Sequence, residues 1–155
     1  MNTFLTILTG VSVFVLGQII LKLFIDPIQE FKRVIAEISH ILIERANIYA
    51  NPGKADIDKE QMVSIELRNI SSKLNAQMYL VPLYKQIAKI FRLPAQENVM
   101  KASSELIGLS NGFAGNYSKQ GIMNMYRAQH IRTSLNIAVS ENEKLSLKDE
   151  GKYIN

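Results

Sequence analysis

No charged side chain occurs between Met1 and Lys22, and this more than anything else limits what the chain can fold into. The stretch FLTILTGVSVFVLGQIILKLFIDP, Phe4–Pro27, is apolar for longer than the roughly 7–15 residues of a secretory signal core. It opens on MNT without a basic side chain, and Lys22, Asp26 and Pro27 stand where a small-residue cleavage site would follow. A helix rising about 1.5 Å per residue needs about 20 apolar residues to cross a bilayer core, and Phe4–Ile25 supplies them. Lys22 lies near one end, where its methylene stem can carry the ammonium to the interface. The alternative is a helix at the centre of a soluble fold, which 155 residues could hardly surround. The sequence therefore predicts a single-pass signal-anchor over residues 1–25, a helical cytoplasmic domain over 26–139 and a polar, flexible tail over 140–155.

Flanking charge gives an orientation. Lys22, Lys32 and Arg33 lie just past the apolar run and nothing basic precedes it. The positive-inside rule then puts the N-terminus outside and the rest in the cytoplasm. Within the run, Thr6, Gly10, Val13 and Gly17 are spaced by 4, 3 and 4 residues, so they share one stripe on which two helices can approach closely. Gln18 beside it can hydrogen-bond across such a contact. The competing reading is that Thr and Gly are simply common in membrane helices, with Thr bonding back to its own backbone.

Beyond Ile25 the apolar positions recur at steps of three and four and never alternate. Asp26-Pro27 reads as a cap and first position of a helix running to about Ala50, where NPG stops it; the span and this helix can also form one long rod with Pro27 marking a bend. Its inward face would be Ile28, Phe31, Ile35, Ile38, Leu42, Ala46 and Tyr49, with the pairs Arg33–Glu37 and His40–Glu44 opposite. A helix from about Lys59 to Val81 carries the cleanest stripe: Val63, Leu67, Ile70, Leu74, Met78 and Val81. A short helix lies between Pro82 and Pro94. Another covers about Ala95 to Leu109 with Val99, Ala102, Leu106 and Leu109 inward. Glycines in GLSNGFAGNYSKQG, Gly108–Gly121, read as a helix stop and turn. A last helix covers about Ile122 to Val139, with Met125, Ala128, Leu135 and Val139 on one side. The expected fold is all-α, one N-terminal transmembrane helix followed by a four- to five-helix cytoplasmic bundle.

Chemistry is harder to find. The chain has no Cys, which removes disulfides, thiolate metal sites and cysteine nucleophiles. His40 and His130 are not in any metal-ligand spacing. No nucleophile elbow, P-loop or dinucleotide-binding glycine pattern is present, so no catalytic residue, cofactor or metal is expected. A net charge of +4 is too small and dispersed for nucleic-acid binding. Tyr79, Tyr84, Tyr117 and Tyr126 lie on different helices without the dense basic surround that base stacking uses. Two places stand out. In the short helix Lys85, Lys89 and Arg92 face one way, while Leu83, Ile87, Ile90 and Phe91 face the other; with Lys22 they form a candidate lipid contact. Core packing with a solvated lysine face is the plainer reading of that helix. Arg45 projects between Ile38, Leu42 and Tyr49, so a buried guanidinium there needs a partner, with Glu66 and Glu105 as candidates.

The junction LGQIILKLFIDPIQEFKRVIAEISHILIERANIYANPG, with MYLVPLYKQIAKIFRLP and SSELIGLSNG, resembles a group of small, uncharacterised bacterial single-span membrane proteins with a helical cytoplasmic domain. The likeness covers the chain to about Gly112 and stops by Asn116. It implies the architecture and a bacterial inner-membrane setting, and carries over no catalytic residue. The expected function is a membrane-anchored helical interaction or assembly protein without enzymatic activity, its partners being the lipid bilayer and a second copy or another protein. The alternatives are an oligomeric membrane effector or channel-forming protein, then an enzyme.

Overall fold

The structure, a computed structural model, describes residues 2–113, 117–141 and 144–146. All of its secondary structure is helical, and no strand occurs among the described residues. Helix α1 spans Asn2–Ile20 and passes through a π turn, Leu21–Ile25, into α2, Asp26–Glu44. The remaining helices are α3 Ala46–Ala50, α4 Ile57–Leu80, α5 Tyr84–Phe91, α6 Gln96–Ser110 and α7 Tyr117–Ser134.

Asp26-Pro27 opens α2 but does not separate it from the apolar helix: the expected cap is absent, and the long-rod alternative is the one observed. Helical structure is continuous over Thr3–Glu44, 42 residues. A proline inside a helix lacks the N–H for the carbonyl four residues back and its ring presses on that group. The turn before Pro27 opens to accommodate this, and the Asp26 N–H reaches back five residues to the Leu21 carbonyl, the bond of a π turn. Asp26 makes no cap and its carboxylate takes a 2.9 Å bond from Lys22 Nζ instead.

The first half of this long helix is exposed over residues 3–23, whereas α2 buries Ile28, Phe31, Val34, Ile38, Ile41 and Leu42. Of its two predicted surface pairs, Arg33–Glu37 is replaced and His40–Glu44 is present. Arg33 reaches Glu30 at 2.5 Å, and Glu37 crosses to Lys73 of α4 at 2.6 Å. His40 lies 3.4 Å from Glu44.

Polar contacts between the helices fix their directions. Glu37 is level with Lys73 and Arg45 with Glu66, so α4 runs antiparallel to α2. The Ser71 and Ser103 hydroxyls meet at 2.7 Å, and Ser64 Oγ donates to the Ser110 carbonyl at 2.8 Å, which makes α6 antiparallel to α4. Asn124 of α7 donates to the carbonyls of Tyr49 and Gly112 at 2.9 and 3.0 Å, and Arg132 Nη2 donates to the Leu42 carbonyl at 3.5 Å. Thus α7 runs antiparallel to both α6 and α2. The result is an up-down-up-down bundle of α2, α4, α6 and α7. Because α7 ends level with the last third of α2, α5 closes the end nearer α1. There Tyr84 packs edge-on against Phe31, ring centroids 5.6 Å apart.

The core is formed by the stripes of α4 and α6 that the periodicity marks, with Leu67, Leu74, Val99, Ala102, Leu106 and Leu109 excluded from solvent. Helix α7 is shifted from its expected place. Its end is set by Asn136, which adopts a left-handed conformation (φ 58°) while the Ile137 N–H returns to the Arg132 carbonyl at 2.8 Å, a C-terminal helix stop. Its buried line is Asn124, Ala128 and Ile131, followed by Leu135, and Met125 points outward.

Of the glycines expected to form a stop and turn, Gly112 lies in the turn after α6, whereas Gly108 and Gly121 lie inside helices and serve helix packing. Gly108 lies within α6 under the Arg127 guanidinium, Gly112 meets the Asn124 amide, and a Cβ on Gly121 would stand 2.2 Å from the Ala50 carbonyl oxygen. Of the tail expected to be polar and flexible, residues 142–143 and 147–155 lie outside the described residues. Leu145 exchanges two hydrogen bonds with the Gln129 side chain, and Tyr126 Oη donates to the Ser146 carbonyl.

Candidate functional site

Helix α2 breaks at Arg45, whose backbone (φ −94°, ψ 6°) is not helical. The Leu42 carbonyl beside the break accepts from Tyr49 Oη at 2.8 Å and from Arg132, so that acceptor is not orphaned. The break turns the Arg45 side chain out of the core to the edge of α4. There its Nε donates to Glu66 Oε2 at 3.0 Å, and Glu44 stands 3.5 Å from its Nη1. Arg45 and Glu66 remain 31% and 34% exposed, so the pair lies at a rim and is not the fully buried pair its sequence position suggests. The hydrogen bond to Glu66 holds the guanidinium above its ordinary pKa, against the opposing effect of partial burial. Glu105, the other candidate partner, faces Arg127 and His130 at 3.6 and 3.7 Å.

The Arg45–Glu66 pair lines a groove of about 700 Å³ between α2–α3 and α4. Its floor and walls are mostly apolar: Ile41, Ile48, Met62, Val63, Ile65 and Ile70, with the Glu37–Lys73 pair at one end. Met62 and Ile65 are 68% and 50% exposed. An open apolar trough flanked by fixed ion pairs is suited to an amphipathic helix laid lengthwise. The sequence gives a weak signal for it: Met62 and Ile65 lie just off the inward stripe of α4, as solitary apolar residues on a polar side.

Three of the candidate lipid-contact residues belong to one short segment, and Lys22 stands apart from them on the long helix. Lys85, Lys89 and Arg92 are exposed on or just beyond α5, and Lys22 is exposed one turn before α2. The expected division of α5 does not hold in full. Ile87, Phe91 and Ala88 turn inward, whereas Leu83 and Ile90 are 66% and 72% exposed on the cationic side. On α1, a Cβ added at Gly10 or Gly17 meets nothing within 4 Å, leaving that part of the stripe with Thr6, Val13 and Gln18 open. Thr9 and Ser12 bond back to the carbonyls of Leu5 and Leu8.

Among the described residues no cluster of three or more acidic or histidine side chains has metal-binding geometry. Burial drives the Tyr84 hydroxyl up to about 12, and that hydroxyl donates to the Pro94 carbonyl at 2.9 Å, which makes it a structural group of α5. No protein-family model, curated protein or solved structure matches this chain.

Proposed function

We propose that this chain is a non-enzymatic, single-span anchor of a bacterial inner membrane that holds a helical interaction domain in the cytoplasm. One observation carries the reading: the continuous helix Thr3–Glu44, apolar and exposed in its first half, forms one side of a packed core in its second. A helix apolar all round finds a low free energy in lipid. Its rigid continuation couples the bundle to the membrane with no flexible linker. The α2–α4 groove supplies an apolar surface for a protein partner, and the open stripe of α1 supplies one for a second copy. Tethering raises the local concentration of both, so weak contacts become effective.

Expression of the full chain with a reporter at each end tests the placement. The protein should stay in the membrane fraction at alkaline pH, with only its N-terminal reporter open to external protease. Release into the soluble fraction, or both reporters on one side, refutes it. Crosslinking in native membranes tests assembly: an adduct with a second copy or a partner is expected, and only a monomer band refutes it. Replacing Gly10 and Gly17 with Leu should abolish a self-adduct that forms through the stripe.

A further inference from the structure

The ion-pair register places one end of the bundle close to the apolar helix. Glu37 is level with Lys73, so seven residues further along the antiparallel α4 Leu80 is level with about Glu30. That is five residues, or about 8 Å, beyond Ile25 at about 1.5 Å per residue. Tyr79 and Leu80 are 73% and 61% exposed there, Leu83 and Ile90 likewise. Helix α5 is held at the same level by Phe31 against Tyr84 and by Lys32 Nζ, 5.9 Å from the centre of the Phe91 ring.

Leu83 and Arg92, which bracket α5, both adopt left-handed backbone (φ 49° and 53°). That conformation is unfavourable for a residue carrying a Cβ, and a leucine in water at such a position gains nothing from its side chain.

Charge is concentrated at the same end. Residues 22–33 and 79–97 contain six cations, Lys22, Lys32, Arg33, Lys85, Lys89 and Arg92, against three carboxylates, Asp26, Glu30 and Glu97, the last lining one hollow with Lys85 and Lys89. This is a net +3 of the +4 carried by the entire chain. A polar headgroup layer extends about 5–8 Å beyond each side of the hydrocarbon core, which is the depth at which Leu80 lies if α1 spans.

We propose that the α4–α5 end of the bundle is a foot that rests on the anionic lipid surface from which α1 emerges. Leu80, Leu83 and Ile90 enter the headgroup boundary, and Lys85, Lys89 and Arg92 meet lipid phosphates. The exposed apolar residues and the excess cations thereby share one explanation, that of an interfacial amphipathic segment; Tyr79 fits the same boundary, where tyrosines concentrate. The proposal rests on α1 being a membrane span, and its test separates the two.

Because the chain has no Cys, single substitutions Val13→Cys, Ile57→Cys, Leu80→Cys and Ile90→Cys each accept one fluorophore. Ile57, 80% exposed at the far end of α4, is the reference in water. The full chain is reconstituted in vesicles of phosphatidylglycerol and phosphatidylcholine containing lipids spin-labelled at the headgroup or along the acyl chain. Headgroup labels should quench the probes at Leu80 and Ile90 several-fold more than the probe at Ile57, and acyl labels should quench the probe at Val13. In phosphatidylcholine alone, or with K85Q, K89Q and R92Q combined, quenching at Leu80 and Ile90 should fall several-fold. Probes at Leu80 and Ile90 as wet as Ile57, with Val13 in lipid, overturn the foot and leave the span standing. Val13 outside lipid overturns the span and the foot with it. Quenching indifferent to both lipid charge and the three substitutions overturns the phosphate contact.

Discussion

Helices α1 and α2 are halves of one continuous helix, yet they follow opposite rules. Along α1 the apolar residues have no preferred side and residues 3–23 are exposed. Along α2 Ile28, Phe31, Val34, Ile38, Ile41 and Leu42 fall on one broad face and are buried in the core, with Ile43 the exposed exception, while Glu30, Arg33, Glu37, His40 and Glu44 keep to the other face. Backbone hydrogen bonding is nearly the same in both, so the difference lies in what surrounds each half. A periodic face marks a helix that meets protein on one side and water on the other. A helix without one needs a single apolar medium on all sides.

The sharpest way to break this contrast is to truncate a phenylalanine in each half. Phe31 is wholly excluded from solvent and Phe14 is 66% exposed. Phe31→Ala should lower bundle stability by about 3–5 kcal/mol, whereas Phe14→Ala should change it by less than about 0.5 kcal/mol. Denaturant unfolding of the full chain in detergent, followed by near-ultraviolet dichroism, measures both; equal losses would mean that the halves do not have different surroundings.

Glycines give the next test. Gly121→Ala pushes a Cβ against the fixed Ala50 carbonyl and should cost about 1–3 kcal/mol by overpacking. Gly17→Ala meets nothing, and the same unfolding measurement should show no loss. A tolerant Gly121 would mean that α7 does not approach α3 as closely as the structure shows.

A smaller loss is expected from the rim ion pair. Arg45→Met should cost about 0.5–1 kcal/mol, the range of partly exposed pairs, and a double-mutant cycle with Glu66→Gln should recover most of it as coupling. Independent, additive losses would show that the two side chains are not paired in solution.

A further effect depends on pH. The Tyr84 hydroxyl titrates near 12 when folded and near 10 when unfolded. The folded state thus holds this proton where the unfolded chain has released it. The stabilisation is complete below about pH 10 and declines as pH rises towards about 12. The stability difference between wild type and Tyr84→Phe should shrink over that window. A difference that stays constant would mean that the phenol is not shielded from water.

Some of this structure was legible in the residues, and the parts that were not have physical causes. The stripes from Val63 to Met78 and from Val99 to Leu109 could be read because three- and four-residue spacing has one interpretation once a helix packs on one side. The glycines could not, since a glycine that admits a neighbouring helix and one that turns the chain look identical in sequence. Gly108 and Gly121 differ only in what approaches them, Arg127 and Ala50. Asn124 was missed for the same reason: its amide is buried by bonds to residues 75 and 12 positions away. Pairing along a single helix, as for Arg33 and Glu37, was overridden by an available cation on α4. The Arg45–Glu66 groove depends on a break in α2 that no glycine or proline announces. Leu83 and Ile90 were placed on one apolar face with Ile87 and Phe91 because amphipathicity was the only criterion, whereas the level of α5 at the start of α2 follows from tertiary contacts such as Phe31 with Tyr84.

The π turn at Leu21–Ile25 also sets an azimuth. One residue more or less in a helix rotates everything beyond it by about 100°, so the wide turn sets the direction in which the bundle points around the axis of α1. The stripe of Thr6, Gly10, Val13 and Gly17 and the groove of α2 and α4 therefore have a fixed angular offset. Two copies joined along that stripe would present their grooves at one defined angle. Deleting a single residue from the turn would swing the grooves by more than a quarter circle and leave both contact surfaces chemically intact.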